Sequence, residues 1–339
     1  MIEFEAEFHN VDHLEKVPGT EGWRLERFPG QLQKELGIAR NHNGQFRSRF
    51  AQGCEIRFVT EGDFFEIGLS AGWRDGEVTV WLGDIMHSRH TLKAGEFTVL
   101  HIDYPDAFKQ VDTSQIPAGR FASQVWRVQF GHGGYVYFHF LDTFGAERRP
   151  PKPEEKPEIS WAAYGSSITC GHACGQYVNS YVEQAALHLG YDVLNKGLSG
   201  SCMGETAAAE YLAGLSVDVV SLELGVNMLA FLEPEEFEAR VSRILGEMRE
   251  KSRAKKIFVI DMFDNRGRIF LNHQDRRYRN FHSFRQIVRE QTKKQGDGRM
   301  AHLGGETILK SLTWLSGDLL HPSDTGHILM GRELAEKMR

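Results

Sequence analysis

A serine, an aspartate and a histidine in the second half of the chain have the types and the order that nucleophilic acyl chemistry needs. Ser167 lies in Gly-Ser-Ser-Ile-Thr, directly after an apolar segment that predicts a buried strand leading into a helix. Asp318 and His321 lie in Asp-Leu-Leu-His-Pro near the end of the sequence. Their i, i+3 spacing can place both side chains on one side, so that the carboxylate holds imidazole Nδ1–H and Nε2 faces Ser167. The predicted chemistry is serine attack on a carbonyl, with His321 as general base and Asp318 as the carboxylate that orients it.

Three further groups could stabilise the negative charge that develops on the carbonyl oxygen during such an attack. The backbone N–H of Ser167 lies on the predicted turn. Gly200, in Asn-Lys-Gly-Leu-Ser-Gly, offers an N–H that an acyl group can approach closely because glycine has no side chain. Asn227 offers its side-chain amide just after a buried apolar run. Each group has a plainer interpretation, since serine and asparagine cap helices and glycine forms turns. Together they predict an oxyanion hole.

The order of these motifs resembles that of the SGNH (GDSL-type) hydrolase family, over roughly residues 159–339. The resemblance implies a three-layer α/β/α domain and a Ser167–His321–Asp318 triad that needs no metal or organic cofactor. Ser166 stands where the family's Gly-Asp-Ser has Asp, and Met228 stands in the last place of Gly-x-Asn-Asp. These departures indicate a divergent branch without removing nucleophile, base or donor. Gly-Ser-Ser-Ile-Thr after a β-sandwich is similar to SGNH esterases and deacetylases with an N-terminal jelly roll, some of which act on carbohydrates.

The segments around these motifs alternate between strand and helix patterns. Short apolar runs are typical of strands buried on both faces, and amphipathic stretches between them are typical of covering helices. This alternation predicts a parallel sheet whose ligands bind at the carboxyl ends of the strands, where the motifs lie. The predicted strands are 159–164, 192–194, 217–224 and 256–263, and the predicted helices are 180–189, 234–251, 281–294 and 323–338.

The first half of the chain predicts an all-β domain. Residues 54–59, 77–82 and 126–130 alternate apolar and polar side chains, and glycine-rich breaks separate them, which favours a sandwich or jelly roll without helices. Residues 146–158 are charged and proline-rich, and proline fixes φ and removes backbone donors, so we expect a semi-rigid linker. The predicted organisation is a β-sandwich at 1–145, a linker at 146–158 and an SGNH catalytic domain at 159–339.

Bulk composition excludes several classes of protein. A formal net charge of −6 argues against a nucleic-acid partner, and no apolar run is long enough to cross a membrane. A signal peptide has a basic segment followed by an apolar one, whereas the first residues here are acidic, so we expect no signal peptide and a cytoplasmic protein. In that compartment we expect the four cysteines to be free thiols. Cys170 and Cys174 lack the second ligand pair that structural zinc needs, so we expect no metal.

Two other features have competing interpretations. Gly-Leu-Ser-Ala-Gly at 68–72 matches the Gly-x-Ser-x-Gly elbow of α/β-hydrolases, but the following residues predict a strand rather than a helix, so we interpret it as a hairpin turn. The connection 262–280 follows the fourth predicted strand and should border the site. Its Arg266 and Arg268 are candidates for binding a polar or anionic substrate, and a solvated loop with helix-capping charges is an equally good interpretation.

The motifs therefore predict a serine esterase that hydrolyses small acyl esters, with acetyl groups on carbohydrates as the favoured substrates. An acyltransferase would share the acyl-enzyme and differ only in passing the acyl group to an alcohol. A carbohydrate-binding protein with a vestigial serine site is the alternative from another class. The expected partner is a small-molecule or carbohydrate ester, with no nucleic acid and no membrane, and a homo-oligomer remains open.

Overall fold

The chain forms two units with different secondary structure. The structure, a computed structural model, describes residues 1–38, 42–116 and 119–339. Met1–Pro29 and Arg49–Glu158 form the first unit, and Gly30–Ser48 and Ile159–Arg339 form the second. The predicted division placed all of 1–145 in the β domain, so the assignment of Gly30–Ser48 to the second unit corrects it.

The first unit consists of two antiparallel sheets. The first sheet has the order β1-β2-β5-β10-β7-β8, with β12 paired to β5, and the second has the order β3-β4-β11-β6-β9. The strands are β1 Ile2–Glu3, β2 Ala6–His9, β3 His13–Glu15, β4 Trp23–Glu26, β5 Glu55–Thr60, β6 Phe64–Gly72, β7 Gly76–Leu82, β8 Ile85–Leu92, β9 Phe97–Asp103, β10 Val125–Phe130, β11 Tyr135–Asp142 and β12 Arg148–Arg149.

An apolar core joins the two sheets. Alternate residues of each strand point inward, as the two-residue period of a strand requires, so Phe58 and Trp126 of one sheet meet Phe65 of the other. This arrangement confirms the predicted β-sandwich. The Gly-x-Ser-x-Gly segment is the end of strand β6 rather than the predicted hairpin turn, because its residues pair with both β9 and β11.

Residues 146–158 are packed on the first unit and contain regular structure, which differs from the predicted linker. Arg148 and Arg149 pair with β5, and a 3₁₀ turn follows at Pro153–Glu155. Glu155 accepts two hydrogen bonds of 2.7 Å from the Arg149 guanidinium and one from Lys152 N. Proline restricts φ but leaves carbonyls and side chains free to bond, and these bonds hold the segment in place.

The second unit is a five-stranded parallel sheet covered by helices. The strand order is β14-β13-β15-β16-β17, so the chain starts in the sheet at β13, adds β14 on one side, and then adds the rest on the other side. Its elements are α1 Gly30–Glu35, α2 Asn43–Arg47, β13 Ser160–Gly165, α3 Tyr181–Leu189, β14 Asp192–Gly197, α4 Thr206–Gly214, β15 Val219–Glu223, α5 Pro234–Lys251, β16 Lys256–Ile260, α6 Arg276–Gln295, β17 Met300–Leu303 and α7 Asp324–Met338.

Right-handed crossovers in this strand order place helices on both faces. Helices α3 and α7 pack together over Trp161 and Ala163 of β13, while α5 packs against α4 and α6. This is the predicted three-layer α/β/α domain. Its strand order reverses between β13 and its two neighbours, and ligands of such sheets bind at the carboxyl ends next to this reversal.

Most predicted elements of this unit are present within a few residues of their predicted ends. Helix α5 has the predicted bounds, and α3 and α7 each begin one residue later because Ser180 and Ser323 cap them with their hydroxyls. The sequence missed α1, α2, α4 and β17. None of the helices in the described part of the chain combines the length and apolar character needed to cross a bilayer.

Candidate active site

The serine turn follows strand β13 directly. Gly165 ends the strand, and a Cβ there would collide with the side chains of Thr169 and Glu223, so the close packing requires glycine. Cys170 N donates to Ser166 O, and His172 N donates to Ser167 O, which closes the chain into consecutive turns. Regular helix resumes only at Tyr181, so the predicted strand-to-helix turn is a strand followed by irregular turns. Ser167 is 8% exposed.

The structure brings the three predicted side chains together. Ser167 Oγ lies 2.8 Å from His321 Nε2, and His321 Nδ1 lies 2.5 Å from Asp318 Oδ2. The second carboxylate oxygen of Asp318 accepts hydrogen bonds from Ser316 Oγ, Leu320 N and His321 N. The aspartate therefore fixes both the imidazole and the backbone turn that carries it. The pair precedes α7 instead of beginning it, since Ser323 is the helix cap.

These hydrogen bonds keep Asp318 ionised. Burial acts to raise the pKa of Asp318, but hydrogen bonds from the His321 side chain and from the backbone N–H groups of His321 and Leu320 outweigh burial and hold its pKa well below the usual range. Leu319, within the same turn, has a left-handed φ of 53°. Its carbonyl accepts a hydrogen bond from Arg266 N, which helps to hold this strained residue.

The predicted oxyanion donors have N–H groups that are not used in hydrogen bonds within the protein. In the part of the chain that the structure describes, neither Ser167 N nor Gly200 N donates a hydrogen bond to the protein. Gly200 has a left-handed φ of 67°. Asn227 Oδ1 accepts from Cys202 N at 3.0 Å, which fixes the amide and leaves Nδ2 as its donor end. Such N–H groups can donate to a developing oxyanion without first giving up a hydrogen bond to the protein.

Glu223 is a buried acid beneath the serine turn that the sequence analysis missed. It lies at the carboxyl end of β15, is 1% exposed, and accepts a 2.6 Å hydrogen bond from Ser166 N. Burial raises its pKa. Thr169 Oγ1 lies 3.4 Å from the same carboxylate oxygen and 2.8 Å from Tyr181 OH. The signal was a charged residue inside an otherwise apolar strand, since such a residue needs a partner.

The two arginines proposed from the sequence as substrate contacts have protein partners. Arg266 Nη1 donates to Asp318 O at 3.1 Å, and its backbone N donates to Leu319 O, so Arg266 supports the turn that carries His321. Arg268 Nε donates to Asp264 at 2.8 Å. Both therefore have intramolecular roles that the sequence did not indicate.

Other candidate groups show no comparable arrangement. Ser70 Oγ lies 2.9 Å from His139 Nε2 in the first unit, but no carboxylate bonds to that imidazole among the described residues. All four cysteines are buried free thiols, and burial holds the pKa of Cys202 well above its usual range, so it is a protonated neighbour of the site. No three side chains of the metal-ligating types converge on the serine site in the described ranges.

The geometry can support nucleophilic acyl chemistry. The imidazole is held so that Nε2 faces the serine hydroxyl, and a negatively charged carboxylate lies behind it to stabilise imidazolium. Donors for an oxyanion come from the carboxyl ends of three adjacent strands, β13, β14 and β15. Attack on an ester carbonyl needs the base and the oxyanion donors in one place, because proton transfer and charge stabilisation occur at the same moment.

Solved structures of the same fold cover from 85% to 99% of the chain. A salicylyl-acyltransferase, SsfX3, from a tetracycline biosynthetic pathway matches with a TM-score of 0.79 and 15% identity over 98% of this chain and 94% of that chain. A family two carbohydrate esterase from Cellvibrio japonicus matches with a TM-score of 0.63 and 12% identity, over 99% and 95%. Another from Clostridium thermocellum, in complex with cellohexaose, has a TM-score of 0.63 and 15% identity, over 85% and 93%. These likenesses establish the shared fold.

A search of the curated proteins finds no match. The family model for GDSL-like lipases and acylhydrolases matches residues 163–329, a range that begins within strand β13 and ends within helix α7. All the residues of the serine site fall inside this range. The chain therefore contains a GDSL-like lipase/acylhydrolase domain over residues 163–329.

Proposed function

We propose that the protein is a serine esterase that works through an acyl-enzyme. The observation that carries the proposal is the continuous chain from Ser167 Oγ to His321 Nε2, 2.8 Å, and from His321 Nδ1 to Asp318 Oδ2, 2.5 Å. Ser167 attacks the ester carbonyl while His321 accepts its proton, and Asp318 stabilises the imidazolium. His321 then gives the proton to the leaving alcohol, and the acyl group stays on Ser167 Oγ. In the second half of the reaction His321 takes a proton from water, the water oxygen attacks the acyl carbonyl, and His321 returns the proton to Ser167 Oγ as the acid leaves.

The oxyanion is received by Ser167 N–H, Gly200 N–H and the Asn227 amide. Each such donor is worth about 10²–10³-fold in kcat when it is removed from a serine hydrolase. The free state of these donors supports their assignment. No metal or organic cofactor enters this sequence of steps.

For the substrate we propose small acyl esters, with acetyl esters of carbohydrates first. The support is the fold shared with carbohydrate esterases, in which the sandwich and hydrolase halves are both matched. An acyltransferase is the second candidate, supported by the full-length likeness to a salicylyl-acyltransferase. A carbohydrate-binding protein with a vestigial serine site is disfavoured by the intact hydrogen-bonded triad.

A panel of nitrophenyl esters and acetylated sugars tests the proposal, with added acceptor alcohols to distinguish hydrolysis from transfer. Ser167→Ala should lower kcat by several orders of magnitude. Ser166→Ala is the matched control, since Ser166 Oγ bonds to Ile168 N and to the Glu223 carboxylate rather than to His321, and should be dispensable for chemistry. Equal turnover by the wild type and Ser167→Ala would refute the assignment of the nucleophile.

A further inference from the structure

The segment Gly30–Ser48 comes from the N-terminal half of the chain but folds with the hydrolase unit. Its two short helices, α1 and α2, lie close together: the approach is so close that a Cβ on Gly37 would overlap the backbone of Gly44. Gly37 N donates a 2.8 Å hydrogen bond to Glu205, which lies just before α4. This contact anchors the segment beside the loop that follows β14, where Gly200 lies.

Asn43, the first residue of α2, reaches that loop with its side-chain amide. Its Nδ2 donates to Ser199 O at 3.2 Å and to Ser201 Oγ at 2.7 Å. These are the two residues that flank Gly200. A Cβ on Gly200 would lie 3.3 Å from the same nitrogen, so the amide rests against the Gly200 α-carbon.

The bond to Ser199 O controls the direction of the Gly200 N–H. The Ser199 carbonyl and the Gly200 N–H belong to one planar trans peptide, so they point in opposite directions. Holding the carbonyl toward Asn43 therefore aims the N–H away from Asn43. A hydrogen bond to the carbonyl also polarises the peptide and strengthens its N–H as a donor.

Other bonds shape this loop, but among the described residues the Ser199 carbonyl accepts only from Asn43. Ser201 N donates to Leu198 O at 2.9 Å, which closes a turn around the Ser199–Gly200 peptide without bonding to the peptide itself. Leu198 N donates to Gly165 O at 2.8 Å, which ties the start of the loop to the serine strand. Cys202 N donates to Asn227 Oδ1 at 3.0 Å, which ties its end to another oxyanion donor. Gly200 itself has a left-handed φ. Glycine adopts positive and negative φ values about equally well, so this conformation depends on the bonds that hold the loop.

We propose that Asn43 is a positioning residue that aims Gly200 N–H at the oxyanion. The inference rests on the proposed esterase function and extends it to a segment outside the family match. Asn43 acts through the Ser199–Gly200 peptide and touches neither the nucleophile nor the base. Its loss should weaken charge stabilisation in the transition state and leave ground-state binding almost unchanged.

The test compares Asn43→Ala and Asn43→Asp with Gln45→Ala, a matched control on the same helix. Within the described part of the chain, the Gln45 amide bonds to Lys34 O and His42 and not to the Gly200 loop. Asn43→Ala should lower kcat about 10-fold with KM within about twofold, since the donor is loosened rather than removed. Asn43→Asp should lose more, because a carboxylate would face the Ser199 carbonyl and add negative charge near the oxyanion. Titration with a phosphonate counts competent sites, so misfolded protein does not mimic the loss.

A second readout isolates the oxyanion hole. The rate ratio of an oxo ester to its thiono analogue should fall in both Asn43 variants, because sulfur gains little from N–H donors, whereas a general loss of structure lowers both rates together. An active wild type whose Asn43 variants keep both kcat and this ratio would overturn the inference and leave the esterase proposal intact. A wild type with no more turnover than Ser167→Ala would overturn the proposed function itself.

Discussion

Replacing Asp318 by asparagine should move the proton of the neutral His321 imidazole from Nδ1 to Nε2. The Asp318 carboxylate presents one oxygen to Ser316 Oγ, Leu320 N and His321 N, and the other oxygen to His321 Nδ1. Asparagine has a single side-chain acceptor, and three donors require it to stay where Oδ1 is now. Its NH₂ group must then face His321 Nδ1.

Two donors cannot bond to each other, so the imidazole would accept at Nδ1 and carry its proton on Nε2. That nitrogen lies 2.8 Å from Ser167 Oγ and could no longer take the serine proton. The same tautomer change in a serine protease lowers kcat about 10⁴-fold, which corresponds to about 5.5 kcal/mol of barrier. The protein should still fold, because the acceptor with three donors is retained, although the charge that stabilises the native state is lost.

Steady-state hydrolysis of a nitrophenyl ester, with thermal unfolding measured in parallel, tests this reasoning. Asp324→Asn is the matched control, since that carboxylate bonds to Gly175 N and Asn179 rather than to the imidazole. Its variant should keep kcat within about tenfold. A folded Asp318→Asn protein with a loss of less than tenfold would show that the aspartate does not set the tautomer.

Four other outcomes follow from the geometry and the charges. Because its pKa is lowered, Asp318 should remain ionised as the pH falls to about 4, so a pH–kcat series should show no loss of rate from its protonation above that pH. Asn227→Asp keeps the acceptor for Cys202 N but replaces the donor, and kcat for the nitrophenyl ester should fall by at least about 10²-fold with KM nearly constant; an unchanged kcat would remove Asn227 from the oxyanion hole. Burial raises the pKa of Glu223, so ionising this carboxyl in the folded protein lowers stability as pH rises above the unfolded-chain value of about 4.3; urea unfolding of Glu223→Gln should show a difference from wild type that shifts in the variant's favour from that pH upward, by up to about 1.4 kcal/mol per pH unit, and a constant difference from about pH 4 to 7 would contradict this. Hydrogen bonds from Arg149 lower the pKa of Glu155 to about 2, so Glu155→Gln should cost about 1–2 kcal/mol of unfolding free energy at neutral pH, a difference that shrinks as pH falls below about 4; a difference independent of pH would point to packing instead.

The sequence predicted the hydrolase fold well where the physical signal was local. Helix α5 could be bounded at both ends because Pro234 begins it and an amphipathic pattern runs through to Lys251. Helix α4 was missed because no side chain caps its start, whereas α3, of the same length, begins at the Ser180 cap. Strand β17 is an edge strand without a fully buried residue, so it lacks the apolar run that marked the other strands.

The residues proposed for the triad could be named from the sequence because their motifs are short and keep a recognisable order. Asn43 could not be found this way, since its partners are 156 and 158 residues further along the chain. The same limit explains why Gly30–Ser48 was assigned to the wrong unit. A contact between distant segments leaves no periodicity in either one, and only the fold reveals it.

Covalent labelling at Ser167 is the sharpest test of the proposed nucleophile. The wild-type protein would be incubated with a p-nitrophenyl phosphonate, and the intact mass and the labelled peptide would then be determined by mass spectrometry. The proposed triad predicts one adduct per chain, located on Ser167, absent from Ser167→Ala and formed far more slowly by His321→Ala. A protein that stays unlabelled, or an adduct on Ser70 or another residue with Ser167 free, would contradict it.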